Sequence, residues 1–213
     1  MEASEEKVIN KILKGLWLDS GASFREGFFE LSPNHFLRFA KSDLNLKTKR
    51  STVNALSNAK RAIECQVDEI LYVLGHYKAA KKERWNFPKK IEFLKSLDIT
   101  GPNILNKINQ KRNLLEHEYE YPKKDEVETA IDVAELFISA TEKFTEKYCD
   151  NFGIDYMDKE TNISVSFDED NCIFEITHPK EEPGQWAEYK ISRESPMFLP
   201  LLKKYAEAIK LSI

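Results

Sequence analysis

An apolar repeat between Asp43 and Gly75 narrows the possible folds more than any other stretch of the chain. Val53, Leu56, Ile63, Val67, Ile70 and Leu74 recur at spacings of three, four or seven residues, a three-four repeat. That spacing predicts one long helix with a single apolar face, and such a helix is stable only when the face is covered. A matching stripe lies further on: Val127, Ala130, Ile131, Ala134, Phe137, Ile138, Thr141, Phe144 and Tyr148, behind the start signal Lys123-Lys124-Asp125. The two are expected to pack together, with the small Ala59 and Ala62 allowing close approach.

Between them Pro88 opens a short helix over Ile91 to Leu97, and Thr100-Gly101-Pro102 caps a further one. On the latter, Leu105, Ile108, Leu115 and Tyr119 form one stripe, and Pro122 ends it by biasing Tyr121 away from helical geometry. Upstream, Val8, Ile9, Ile12, Leu13, Leu16 and Trp17 have helical spacing, and a loop holding Gly21, Gly27, Phe24, Phe28 and Phe29 follows. Ser32-Pro33-Asn34-His35 reads as a turn, with His35 as a cap or turn residue.

After a linker over residues 151–161 the period changes from 3.6 to 2. Ile163, Val165 and Phe167 alternate with Ser164 and Ser166, Asp168-Glu169-Asp170-Asn171 turns the chain, and Ile173 to Ile176 returns it. The turn acids lack the spacing and glycine of a calcium loop. Trp186 to Ile191 reads as a third strand and Leu199 to Leu211 as a closing helix. The expected architecture is therefore mainly α: an up-and-down helical bundle over 35–150, a helix and loop over 1–34, and a small C-terminal α+β appendage over 151–213.

Composition excludes several classes. No run of about 18 apolar residues exists, so no membrane span is expected. Met1 to Glu6 is acidic and lacks a basic region followed by an apolar block, so it does not read as a secretion signal. Cys65, Cys149 and Cys172 are odd in number, far apart and without a CxxC, which predicts a reducing, cytoplasmic setting, with neither a disulfide frame nor a metal site. No GxxxxGK[ST], HExxH or GxSxG is present, which leaves Walker-type, zincin and serine-hydrolase chemistry without a motif. The net charge of −4 is uneven: residues 150–213 hold 13 acids and 7 bases, leaving a surplus of +2 on residues 1–149.

That surplus lies in the half that carries the chemistry. Lys111-Arg112-Asn113-Leu114-Leu115-Glu116-His117-Glu118-Tyr119 gathers a guanidinium, an amide, an imidazole and a phenol within nine residues. Arg112 falls on the apolar stripe between Ile108 and Leu115, where a guanidinium is costly unless paired or at an interface. Read by residue type alone, the His would favour a helix C-terminus and the Arg would pair with a carboxylate. Arg112 and His117 point about 140° apart on an ideal helix, so a joint site needs either local unwinding before His117 or a second chain. Lys78, Lys81, Lys82 and Arg84, with Trp85 and Phe87 interleaved, form a basic connector; such a run is more often a solvated surface than a phosphate-tracking patch with a stacking aromatic, which is the functional reading. Lys47, Lys49, Arg50, Lys60 and Arg61 form a second basic group along the long helix.

The pattern Arg112-Asn113-x3-His117-x-Tyr119 resembles the signature of HEPN domains, all-α nucleotide-binding units, and its Arg-x4-His-x-Tyr form resembles that of HEPN toxins paired with nucleotidyltransferases. The resemblance covers a little over half the chain. It implies metal-independent RNA cleavage by a homodimer without cofactor, in a toxin or anti-phage defence effector. His117 would move a proton, Arg112 would clamp the phosphate, and Asn113 would orient the imidazole or a phosphate oxygen. Tyr119 would contact the ligand or be the hydroxyl that a cognate antitoxin nucleotidyltransferase modifies. Lys111 and the Lys78–Arg84 connector would contribute to RNA binding. The other reading the resemblance allows is a non-catalytic nucleotide- or partner-binding module.

Overall fold

Two capping motifs decide where the central helices begin. The computed structural model describes residues 3–23, 28–99, 121–145, 148–156, 159–180, 182 and 184–211. Helix α1 (Ala3–Lys14) and strand β1 (Leu16–Ser23) lead into α2 (Pro33–Asn45), whose N-cap is Ser32. The His35 amide donates to the Ser32 hydroxyl, and the Ser32 amide donates to His35 Nδ1 at 3.2 Å, so His35 is a cap histidine as expected. Helix α3 (Lys49–Val73) is capped by Thr48 and Ser51, whose amides donate to each other's hydroxyls at 3.0 Å. This cap splits the expected Asp43–Gly75 helix into an antiparallel α2–α3 pair joined at residues 46–48.

Two short helices follow, α4 (Tyr77–Lys82) and α5 (Phe87–Ser96), and beyond residue 120 comes α6 (Lys124–Ala140). The predicted α6 stripe is buried from Val127 to Ile138 and runs on through Thr141 and Phe144. Helices α2, α3 and α6 pack on one another around Leu37, Ala40, Leu56, Ile63, Ala130 and Ala134. Within this seam the buried Gln66 amide donates to Thr141 Oγ1 at 2.8 Å, and that hydroxyl donates to Phe137 O at 2.7 Å.

The expectation of a mainly α chain is overturned. The rest of the fold is a five-stranded antiparallel sheet, in the order β1-β2-β3-β4-β5, so the architecture is α+β. Its strands are β1, β2 (Tyr148–Tyr156), β3 (Lys159–Asp168), β4 (Ile173–Pro179) and β5 (Trp186–Ile191). The β3–β4 hairpin and β5 follow the predicted alternation, with Val165 opposite Ile176 and Phe174 opposite Ile191. Strands β1 and β2 replace the end of a helix and a linker. Gly15 closes α1, its amide donating to Lys11 O at 2.9 Å, and Trp17 then pairs with Ile154 across the sheet. Trp17 seals the junction by donating its indole N–H to Ile12 O at 2.9 Å.

One face of the sheet is covered by α7 (Phe198–Leu211), and α1 packs on β2 and α7. The Tyr205 ring lies 5.1 Å from that of Phe167 and 5.8 Å from those of Phe152 and Phe174. Fully buried aromatic and branched side chains of this size contribute about 1.5–3 kcal/mol each. The opposite face carries polar pairs beside the exposed Leu16, Leu18 and Trp186: Ser164 donates to Asn151 Oδ1 at 2.9 Å, and Lys190 pairs with Glu175 at 2.5 Å.

Gly75 joins the helices to the sheet. It sits at φ +66° just beyond α3, where the His76 amide donates to Leu71 O at 2.7 Å and the Gly75 amide to Tyr72 O at 2.9 Å. This left-handed ending brings its backbone against the β3–β4 turn. A Cβ at Gly75 would lie 2.9 Å from Cys172 Sγ and 3.1 Å from both Glu169 O and the Phe167 ring.

Candidate functional site

Lys111, Arg112, Asn113, His117 and Tyr119 lie outside the described residues. What the structure describes is where the chain enters and leaves that segment. It enters from α5, which ends with Asp98 at φ +55° and with the Ile99 amide donating to Leu94 O at 3.0 Å. Helix α5 lies beside the C-terminal third of α3, held by Lys90–Asp68 at 2.6 Å. The chain leaves at Tyr121, whose ring sits under Lys49 Nζ at 5.0 Å, beside the first residue of α3. The 25 residues of α3 span about 37 Å. Entry and exit are therefore at opposite ends of this helix.

The two basic groups separate in the same way. Lys47, Lys49 and Arg50 stand at the α3 N-terminus, next to Tyr121, whereas Lys78, Lys81 and Lys82 ride on α4 beyond the α3 C-terminus. Lys78 pairs with Asp170 at 2.8 Å, and this hydrogen bond raises its pKa above the usual lysine value. Lys81 lies 5.9 Å from the Tyr77 ring centroid. Arg84 occupies a left-handed position at φ +53° that ends α4, with the Trp85 amide donating to Ala80 O at 2.9 Å. Trp85 is already engaged: its indole N–H donates to Glu83 at 2.7 Å, its ring lies 5.5 Å from that of Phe93, and Lys89 covers it at 4.5 Å.

A groove of about 560 Å³ opens between α4, the β3–β4 turn and the segment after β5. Its lining includes Lys78, Lys82 and Arg193 as cations and Glu83, Asp170 and Glu194 as anions, a balance that favours no simple ion. Arg193 donates to Gly75 O and to the Cys172 thiol, and burial outweighs that contact to raise the Cys172 pKa. Cys172 is thus held as a packed thiol and not as an activated nucleophile. Neither Arg193 nor Cys172 carried a motif signal, because only the strand topology brings them to Gly75.

His76 also lies at this junction, next to Gly75. Its Nδ1–H donates to Leu74 O at 2.6 Å, and its ring lies 4.4 Å from that of Phe93. Burial, reinforced by the Arg193 charge, lowers its pKa to about 4, so it is neutral at pH 7. Among the described residues no group of three His, Cys, Asp or Glu side chains could hold a metal ion, and no helix is long and apolar enough to cross a membrane. No family model, curated protein or solved structure matches the chain.

Proposed function

We propose that this chain is a metal-independent endoribonuclease of the HEPN type, acting as a dimer. The observation that carries the reading is the sequence pattern Arg112-Asn113-x3-His117-x-Tyr119. Helices α2, α3 and α6 pack on one another, and Lys49 adds positive charge at Tyr121, two residues past Tyr119. His117 takes the proton of a ribose 2′-OH as that oxygen attacks the adjacent phosphorus. The P–O5′ bond breaks, and the departing 5′ oxygen takes up a proton. The products are a 2′,3′-cyclic phosphate and a 5′-hydroxyl. The Arg112 fork binds the phosphate oxygens, whose charge grows in the transition state. Asn113 orients the imidazole, and Tyr119 contacts the ligand.

Purified protein is incubated with RNA in excess EDTA and the ends are mapped. Cyclic-phosphate termini are expected, and His117→Ala or Arg112→Ala should slow cleavage by about 100-fold or more. Cleavage that survives His117→Ala removes the imidazole from the mechanism. Tight RNA or nucleotide binding without turnover makes the chain a binding module instead.

A further inference from the structure

We propose that β5 is a self-complementary edge through which two copies of this chain join their sheets into one ten-stranded sheet. This inference stands apart from the ribonuclease reading: it rests on β5 and not on the Arg112–Tyr119 pattern. Strand β5 ends the sheet, and among the described residues no strand pairs on its far side. An unpaired edge of six residues presents backbone donors and acceptors to any matching strand.

The side chains select the partner. Trp186, Glu188 and Lys190 lie on the exposed polar face, and Ala187, Tyr189 and Ile191 on the half-buried or buried inner face. Two β5 strands related by a two-fold axis keep their polar faces on the same side only if the axis passes through a residue, since successive side chains alternate. An axis at Glu188 sets two carboxylates opposite each other, and one at Lys190 sets two ammoniums opposite each other. Like charges directly opposite are destabilising. An axis at Tyr189 places each Glu188 opposite Lys190 of the second copy, twice, with Ala187 facing Ile191 beneath. Lys190 already pairs with Glu175 of its own chain, while Glu188 faces the neutral Thr177. In the joined sheet each Lys190 lies between two carboxylates. The charges that usually blunt a sheet edge are here ordered so that they favour one register of a second identical strand.

The test is sedimentation velocity of the full chain over a concentration series, with wild type, Glu188→Lys, Lys190→Glu, and an equimolar mixture of the two variants. Wild type should dimerise, and each single reversal should weaken the dimer about tenfold or more. In the mixture a strand with lysine at both positions meets a strand with glutamate at both, so dimers should return, which a misfolded variant could not achieve. A wild type that stays monomeric throughout overturns the proposal. So does a dimer indifferent to both reversals, or a loss that mixing does not repair. A dimer indifferent to both reversals would assign assembly to another face and leave the ribonuclease reading standing.

Discussion

Replacing Gly75 with alanine probes the joint between helices and sheet. Two separate costs are expected. An L residue at φ +66° suffers the left-handed clash of its Cβ with its own backbone, about 1–2 kcal/mol. The new methyl group also meets Cys172 Sγ at 2.9 Å, Glu169 O at 3.1 Å and Phe167 at 3.1 Å. Two of these neighbours belong to a packed turn and a buried ring, so relief requires moving the β3–β4 hairpin away from α3. Overpacking of this kind costs about 1–3 kcal/mol, giving a total of about 2–5 kcal/mol. For a chain of this length that lowers the melting temperature by roughly 5–15 °C, read by circular dichroism. The Gly75→Ala/Cys172→Ala double variant separates the two costs. Removing Sγ should recover part of the loss, appearing as a non-additive term in the cycle. A loss below about 1 kcal/mol, or strict additivity, would refute the claim that the hairpin presses on this glycine.

Other outcomes follow from single residues. His76 resists protonation when folded, with a pKa of about 4 against an ordinary 6.5, so the unfolded chain takes the proton first. Stability should therefore fall by about 3 kcal/mol as the pH drops from about 6.5 to about 4, and urea titrations of His76→Gln should lose that slope. Thr141→Val strips the buried Gln66 amide of its oxygen partner at 2.8 Å and should cost about 1–3 kcal/mol in chemical denaturation, while Gln66→Leu/Thr141→Val should recover most of it. The Cys65 thiol, pushed up to about 12 by burial and by the Glu69 and Asp68 charges, should alkylate at pH 8 roughly a thousandfold more slowly than a free cysteine, measured by peptide mass mapping. Lys47→Gly relieves a side chain held at φ +55° after α2 and should raise stability by about 0.5–1 kcal/mol, read from urea midpoints.

The parts of the fold that were legible are those whose signal is local and repeated. The α6 stripe is long enough to separate a 3.6 period from a 2 period, and each of its positions from Val127 to Phe144 is buried. The β3–β4 hairpin announced itself by alternation around an acidic turn, where the Asn171 amide donates to Asp168 at 3.0 Å. Strand β1 was not legible because Leu16-Trp17-Leu18 is too short to distinguish the two periods. Strand β2 was not legible because only Phe152 and Ile154 mark its inner face between polar neighbours. The motif around Arg112 and His117 was legible as residue types in order, and that order is its whole support.

By itself, then, the order of residues determined where helices could start and stop, which stripes must be buried, and where the chain turns back. Caps, periods and turns act over a few residues, so they survive in a linear reading. Only the tertiary structure decided that Leu16–Ser23 and Tyr148–Tyr156, more than 100 residues apart, become neighbours, and that Gly75, Cys172 and Arg193 meet at one joint. Strand pairing and close backbone approach depend on partners far along the chain, and no local pattern carries their address.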